Sequence, residues 1–309
     1  MVKIKEIAKK EQRLVCGHRL CPGCGAGLIV NMVLSSIDEP VVVAAATGCL
    51  EVSTTVYPFT SWNVPFIHSA FENAAATMSG VESAYRFFYK KGKIKEKVHF
   101  VAFGGDGGTY DIGLQSLSGA VERGHDFVYV CYDNEAYMNT GIQRSSATPY
   151  CAATTTSPAG KVIPGNPRFK KDLTEIMVAH EIPYVAQCSP SHWNDLITKS
   201  RKAFEVEGPA FLNVISPCPT GWYYEPKDTI KIAREAVNCC IWPLYEVING
   251  KYNITFNPRE KKTSITDWLK VQKRFDHLFK PENKHLIDEI QNNIDKKWRK
   301  LLDKCGVGN

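Results

Sequence analysis

The run Val98-His-Phe-Val-Ala-Phe-Gly-Gly-Asp-Gly-Gly108, with Cys131-Tyr-Asp-Asn-Glu-Ala-Tyr-Met-Asn139 one helix length further on, decides how this chain is read. An apolar strand ending in Gly104–Gly105–Asp106–Gly107–Gly108 leads into a turn almost without side chains, where backbone can closely approach a diphosphate. Asp106 adds a hard oxygen of the kind a divalent cation takes. Asn134 follows at the end of the next apolar strand. In a parallel α/β sheet these two strand ends are neighbours. Asp106 and Asn134 can therefore share one octahedral Mg²⁺, whose other ligands are diphosphate oxygens, water and a backbone carbonyl. A tight strand-to-helix connection accounts for the glycine turn alone, but not for strand, turn, helix and Asn134 together. No Gly-Lys-Ser/Thr follows, so a Walker phosphate loop is excluded.

Working outward, short Val- and Phe-rich runs alternate with amphipathic stretches of helical length. This is the rhythm of a parallel sheet with helices on both faces, an α/β fold. Strands are expected at Pro40–Ala46, Val64–His68, Val98–Phe103, Phe127–Tyr132, Tyr184–Gln187 and Ala210–Ile215. Helices are expected at Gly25–Ser36, Glu72–Tyr89, Gly113–Arg123, Leu173–His180 and Asn194–Val206. Little polar alternation along the strands suits burial on both faces. Between Tyr137 and Phe169 the pattern breaks into Gly, Pro, Ser and Thr, a long loop of the kind that carries function. Past about Gly221 the rhythm stops. Residues 1–226 are read as one domain and 227–309 as a C-terminal extension, an extended arm followed by one or two charged helices, that contacts a neighbouring subunit or packs back onto its own domain.

The 309 residues are ordinary for a globular protein, 44% hydrophobic with a net charge of +6. Basic residues gather in the last fifty, but acidic ones are interspersed, which fits a solvated or subunit-contacting helix rather than a nucleic-acid face. No apolar run approaches bilayer length, and Met1–Arg13 is charged rather than signal-like, so no membrane contact and a cytoplasmic location are expected. Eleven cysteines, an odd count, fit a secreted disulfide framework poorly and point to metal or redox chemistry. Cys21-Pro-Gly-Cys24 precedes a helix, Cys49 follows the Pro40–Ala46 strand, and Cys218 follows the Ala210–Ile215 strand. Four such thiolates can hold Zn²⁺ or a 4Fe-4S cluster. One C-x-x-C knuckle with two distant single cysteines favours the cluster. Cys16, Cys131, Cys151, Cys188, Cys239, Cys240 and Cys305 read as small hydrophobes or incidental thiols, Cys16 being the nearest to Cys21.

The Gly-Asp-Gly of 105–107 with Asn134 downstream resembles the thiamine-diphosphate motif. Together with the cysteines, and with Tyr132-Asp-Asn-Glu-Ala-Tyr-Met-Asn-Thr-Gly-Ile-Gln-Arg144, it makes the chain similar to the β subunits of the pyruvate:ferredoxin oxidoreductase (pyruvate synthase) family from about Leu14 to Leu278. The resemblance implies a thiamine-diphosphate-binding fold with Asp106, Asn134 and the Ala136 carbonyl on Mg²⁺. It implies Gly48, Gly105 and Gly107 at the cofactor, Asn139 facing the substrate carbonyl or the thiamine adduct as the catalytic residue, and Cys21, Cys24, Cys49 and Cys218 on one 4Fe-4S cluster. It implies reversible, coenzyme A-dependent oxidative decarboxylation of pyruvate, with electrons passing to ferredoxin. The expected partners are an α subunit that supplies the aminopyrimidine-binding side and the activating glutamate, a γ subunit and a ferredoxin-like δ subunit. Glu51, next to Cys49, is not read as that glutamate but as a local hydrogen-bonding or diphosphate-side residue. The rivals are the same chemistry on another 2-oxoacid or on oxalate, a non-redox thiamine enzyme, which has no need of four cysteines, and a zinc-stabilised structural subunit.

Overall fold

The Val- and Ala-rich runs become strands because β-branched and small side chains pack well on a pleated surface covered from both sides. In the computed structural model, residues 4–307 are described; Met1–Lys3 of the charged N-terminal stretch and Gly308–Asn309 of the C-terminal extension lie outside them. Among the described residues eight strands form one sheet: β1 (Val41–Ala46), β2 (Phe66–Ser69), β3 (His99–Gly105), β4 (Val128–Asp133), β5 (Tyr184–Cys188), β6 (Ala210–Ile215), β7 (Leu244–Ile248) and β8 (Lys251–Phe256). Their order is β2-β1-β3-β4-β6-β5-β7-β8. The first six pair in parallel, and β7 and β8 add an antiparallel edge. Every residue of β4 and β6 is buried, as strands covered on both faces require.

Successive side chains point to opposite faces, so each strand feeds two cores. Val43, Ala45, Val101, Phe103 and Val130 pack with α1 (Gly25–Leu34) and with Leu196 and Phe204 of the Trp193–Glu205 helix. On the opposite face, Ala44, Ala102, Cys131 and Phe211 pack with Met78, Leu117 and Met177, from the helices Ala74–Lys90, Leu114–Glu122 and Leu173–Val178.

The C-terminal residues differ from the extended arm read from the sequence. The extended part is the β7-β8 hairpin, which continues the sheet through β5, and Trp268, Phe275, Ile290, Ile294 and Leu301 then cover the second face. Truncating a core indole costs about 3–5 kcal/mol. With Trp268 wholly buried, this segment contributes to the stability of the sheet rather than hanging from it. Among the described residues no helix is long and apolar enough to cross a membrane.

The order places a switch at β1: the chain leaves it to one side for β2 and returns on the other side as β3. In such sheets the carboxyl ends of the two diverging strands leave a crevice where ligands bind.

Candidate functional site

A cleft opens at that switch point. Its walls are Thr47, Gly48 and Cys49 after β1, Gly105 at the end of β3 with Gly107 and Gly108 after it, and Asn134, Ala136 and Asn139 after β4, with Phe71, Tyr132, Tyr137, Met138 and Thr140. The candidates Gly48, Gly105, Gly107, Asn134, Ala136 and Asn139 are thus brought to one place. Asp106 lies beneath them, fully buried. A separate, apolar-walled cavity lies between Lys170, Trp242, Ile294 and Trp298, but none of the candidate residues lines it.

The cleft has room because side chains are missing. Gly107 could not carry a Cβ without meeting the Tyr137 ring at 2.3 Å. Gly107→Ala is therefore expected to destabilise the chain by about 1–3 kcal/mol through overpacking. It should also weaken binding of a diphosphate ligand in the cleft, to be read by thermal unfolding and equilibrium dialysis; wild-type values of both would show that the turn tolerates a methyl group.

Asp106 accepts a hydrogen bond from the Ser145 hydroxyl at 2.5 Å and from the Asn134 backbone N–H at 3.2 Å. Burial, and then the neighbouring Asp133, push its carboxyl well above the usual range. Asp133 itself is compensated by Lys170 at 2.7 Å and by the Tyr110 hydroxyl at 2.6 Å. Among the described residues Asp106 forms no ion pair, and a bound divalent ion would supply one. The Asn134 amide supports such an ion. One end of it lies 2.9 Å from both Asp106 Oδ1 and the Ala136 carbonyl oxygen. With its nitrogen there the amide donates to both; with its oxygen there, three oxygens converge, the donor set of a hard cation. The Tyr132 hydroxyl, buried against Gly48 and Gly105, makes no hydrogen bond of good geometry and leaves a polar group free at the cleft. These residues fit a metal–diphosphate group.

The four candidate cysteines come from three segments that backbone contacts tie together. The Cys24 N–H donates to the Cys21 carbonyl at 3.0 Å, the Gly25 N–H to the Pro217 carbonyl at 3.3 Å, and the Arg19 N–H to the Ser53 carbonyl, in the helix begun by Cys49, at 2.7 Å. Gly23, in the left-handed region at φ 72°, stands so near Pro226 that any Cβ would fall 2.5 Å from its carbonyl oxygen. Burial pushes the Cys49 thiol up to about 12 and Cys218 up to about 11, and the sulfurs reinforce one another: Cys218, Cys24 and Cys21 raise Cys49, and Cys24 and Cys21 raise Cys218. Clustered thiols of this kind ionise only with a cationic centre among them. Cys49 and Asn139 both line the cleft, so the cleft and the cysteine group share a wall. Among the described residues no three His, Cys, Asp or Glu side chains close on a single metal ion.

Cys131, Cys151, Cys188, Cys239 and Cys240 are buried, and Cys16 is exposed. Glu51 accepts from the Thr55 hydroxyl at 2.7 Å and stands 3.6 Å from His68. Sequence reasoning missed Ser145 on Asp106, together with Tyr132 and Tyr137 in the cleft. The Gly/Ser/Thr-rich loop after Tyr137, whose residues around Gln143, Arg144 and Thr148 read as one side of the site, was the signal that it returns there.

A family model described as the C-terminal TPP-binding domain of thiamine pyrophosphate enzymes matches residues 46–214, just over half of the chain and the whole cleft frame from the end of β1 into β6. The chain is 53% identical to pyruvate synthase subunit PorB of Methanocaldococcus jannaschii over 94% of this chain and 97% of that one. It is 51% identical to the same subunit of Thermotoga maritima over 97% and 96%. A solved structure of a 2-oxoglutarate:ferredoxin oxidoreductase from Magnetococcus marinus overlays with a TM-score of 0.55 at 21% identity, covering 72% of this chain and 79% of that one, a likeness of fold.

Proposed function

Because this chain belongs to the pyruvate synthase PorB family, thiamine-diphosphate oxidoreductases that work as subunits of larger enzymes, we propose that it is the β subunit of a pyruvate:ferredoxin oxidoreductase. With its partners it carries out the reversible, coenzyme A-dependent oxidative decarboxylation of pyruvate. The observation that carries this reading is the meeting of the Asn134 amide with Asp106 and the Ala136 carbonyl beneath a glycine-walled cleft. Asp106, Asn134 and Ala136 would hold Mg²⁺, and the backbone at Gly105, Gly107 and Gly48 would face the diphosphate. When bound, thiamine diphosphate supplies the carbon nucleophile and the electron sink for loss of CO₂ from a 2-oxoacid. Asn139, on the wall of the same cleft, would donate to the substrate carbonyl and hold the 2-oxoacid in register.

Cys21, Cys24, Cys49 and Cys218 would hold one 4Fe-4S cluster, a one-electron carrier on the way to ferredoxin. Because Cys49 and Asn139 line the same cleft, a cluster held by Cys49 would lie beside the cofactor site. Phe71, partly exposed on the cleft, gives it an apolar edge. Such an edge suits an α subunit that brings the aminopyrimidine-binding side and the activating glutamate. A γ subunit and a ferredoxin-like δ subunit complete the path.

The test is anaerobic co-purification of the complex, followed by ferredoxin reduction with pyruvate, 2-oxoglutarate, branched 2-oxoacids and oxalate. The expected result is pyruvate as the best substrate and iron without zinc. A different preferred acid would reassign the substrate, and stoichiometric zinc without iron would overturn the cluster.

A further inference from the structure

Between the two cleft residues Asn134 and Ala136 stands Glu135, whose φ of 66° is in the left-handed region. That turn is what lets the Asn134 side chain and the Ala136 carbonyl face Asp106 together. A residue other than glycine keeps such a backbone only where its surroundings over-determine it. Here the surroundings include residues far along the chain. Glu135 is buried and points away from the cleft: its Oε1 lies 3.2 Å from Lys170 Nζ, and its Oε2 accepts from Arg274 Nη2 at 2.5 Å. Arg274, also buried, is itself fixed in place, its Nε and Nη2 donating to Gln272 Oε1 at 2.9 and 2.7 Å.

The same guanidinium lies 4.1 Å over the Trp222 ring. Trp222 donates its indole N–H to the Asn134 carbonyl at 2.8 Å, and its backbone N–H to the Cys218 carbonyl at 2.9 Å. One side chain therefore touches both supports of the Asn134–Ala136 turn, the carboxylate of the strained residue and the indole that holds its neighbour. Through Trp222 it also reaches the loop of Cys218. Arg274 comes from the C-terminal segment, beyond the residues matched by the family model.

We propose that Arg274 is a positioning residue for the metal–diphosphate turn, acting through Glu135 and Trp222, so that the C-terminal extension sets the Mg²⁺ affinity of a site it does not touch. This rests on the reading that Asp106, Asn134 and Ala136 hold the metal. Truncating Arg274 leaves the buried Glu135 carboxylate short of a partner. It also frees the indole, so the turn relaxes and its oxygens separate.

The test uses the assembled complex, stripped of cofactor, and measures by equilibrium dialysis the Mg²⁺ concentration that half-saturates thiamine diphosphate binding. In Arg274→Met this concentration is expected to rise about 10-fold or more, the scale seen when an outer partner of a metal ligand is removed. Adding Glu135→Gln to that variant removes the buried charge that has lost one of its two cationic partners and should recover part of the loss. An unchanged Mg²⁺ requirement in Arg274→Met overturns the proposal, as does a loss that Glu135→Gln leaves untouched, which marks general unfolding. Should Arg274→Met fail to assemble, Arg274→Lys, which keeps the charge but lacks the planar fork, is measured with the same two outcomes. Asp106→Ala run alongside separates the readings. Normal Mg²⁺ binding there overturns the metal site itself, whereas loss there with retention in Arg274→Met overturns only the positioning role.

Discussion

Replacing Asp106 with asparagine is expected to abolish Mg²⁺-dependent retention of thiamine diphosphate while making the cofactor-free chain more stable at neutral pH. Losing an outer partner of a metal ligand typically costs 10–100-fold in affinity, so losing the charged ligand itself should cost about 100-fold or more. The gain in stability follows from burial. The carboxyl of Asp106 is held well above its ordinary range by desolvation and then by Asp133. A group whose folded-state pKa is raised contributes its stability below the unfolded value, about 3.9 for aspartate, and loses it as pH rises through the folded value. The cation-free wild type should therefore lose stability as pH climbs from the carboxylate range toward neutrality, and Asp106→Asn should not. Mg²⁺ with thiamine diphosphate should restore the wild type alone. Thermal unfolding across pH, with and without the cofactor pair, checks this. If both proteins show the same pH profile and the same response to cofactor, Asp106 is not the anchor.

The second large effect concerns Cys218. Cys218→Ala should empty the cysteine group of iron, from about four atoms per chain, the content of one 4Fe-4S cluster, to background. Electron delivery to ferredoxin should fall with it. Thiamine diphosphate binding should survive, because the substitution leaves the Cys218 carbonyl in place for the Trp222 N–H and leaves Asp106 and Asn134 untouched. Iron analysis, visible absorbance and dialysis on the same anaerobic sample separate the two functions. Cys16→Ala is the informative control. Unchanged iron leaves Cys21, Cys24, Cys49 and Cys218 as the ligand set, whereas iron loss at Cys16 with retention at Cys218 would replace one by the other.

The parallel half of the sheet was legible because its signals are local. Ala210–Ile215 is a strand from end to end, and the Gly25, Ala74 and Trp193 helices start within two residues of where periodicity places them. The antiparallel edge was not legible. Lys251-Tyr-Asn-Ile-Thr-Phe256 alternates as a half-exposed strand does, and its burial follows that alternation. Among the charges of the C-terminal extension it reads as an arm, because the β5 edge that receives the hairpin through β7 lies some sixty residues back.

By itself the sequence determined the αβ rhythm, the glycine turn beside Asp106, the downstream Asn134 and the inventory of cysteines. Each depends on residue type and short spacing, which backbone sterics and burial convert directly into local structure. Tertiary structure alone decided what steadies the site. Ser145 meets Asp106 across 39 residues, Trp222 meets Asn134 across 88, and Arg274 meets Glu135 across 139. No periodicity connects such positions. They come together only because packing the two faces of one sheet, and folding the C-terminal segment over the second, leaves buried polar groups that must find partners where the chain has already been placed.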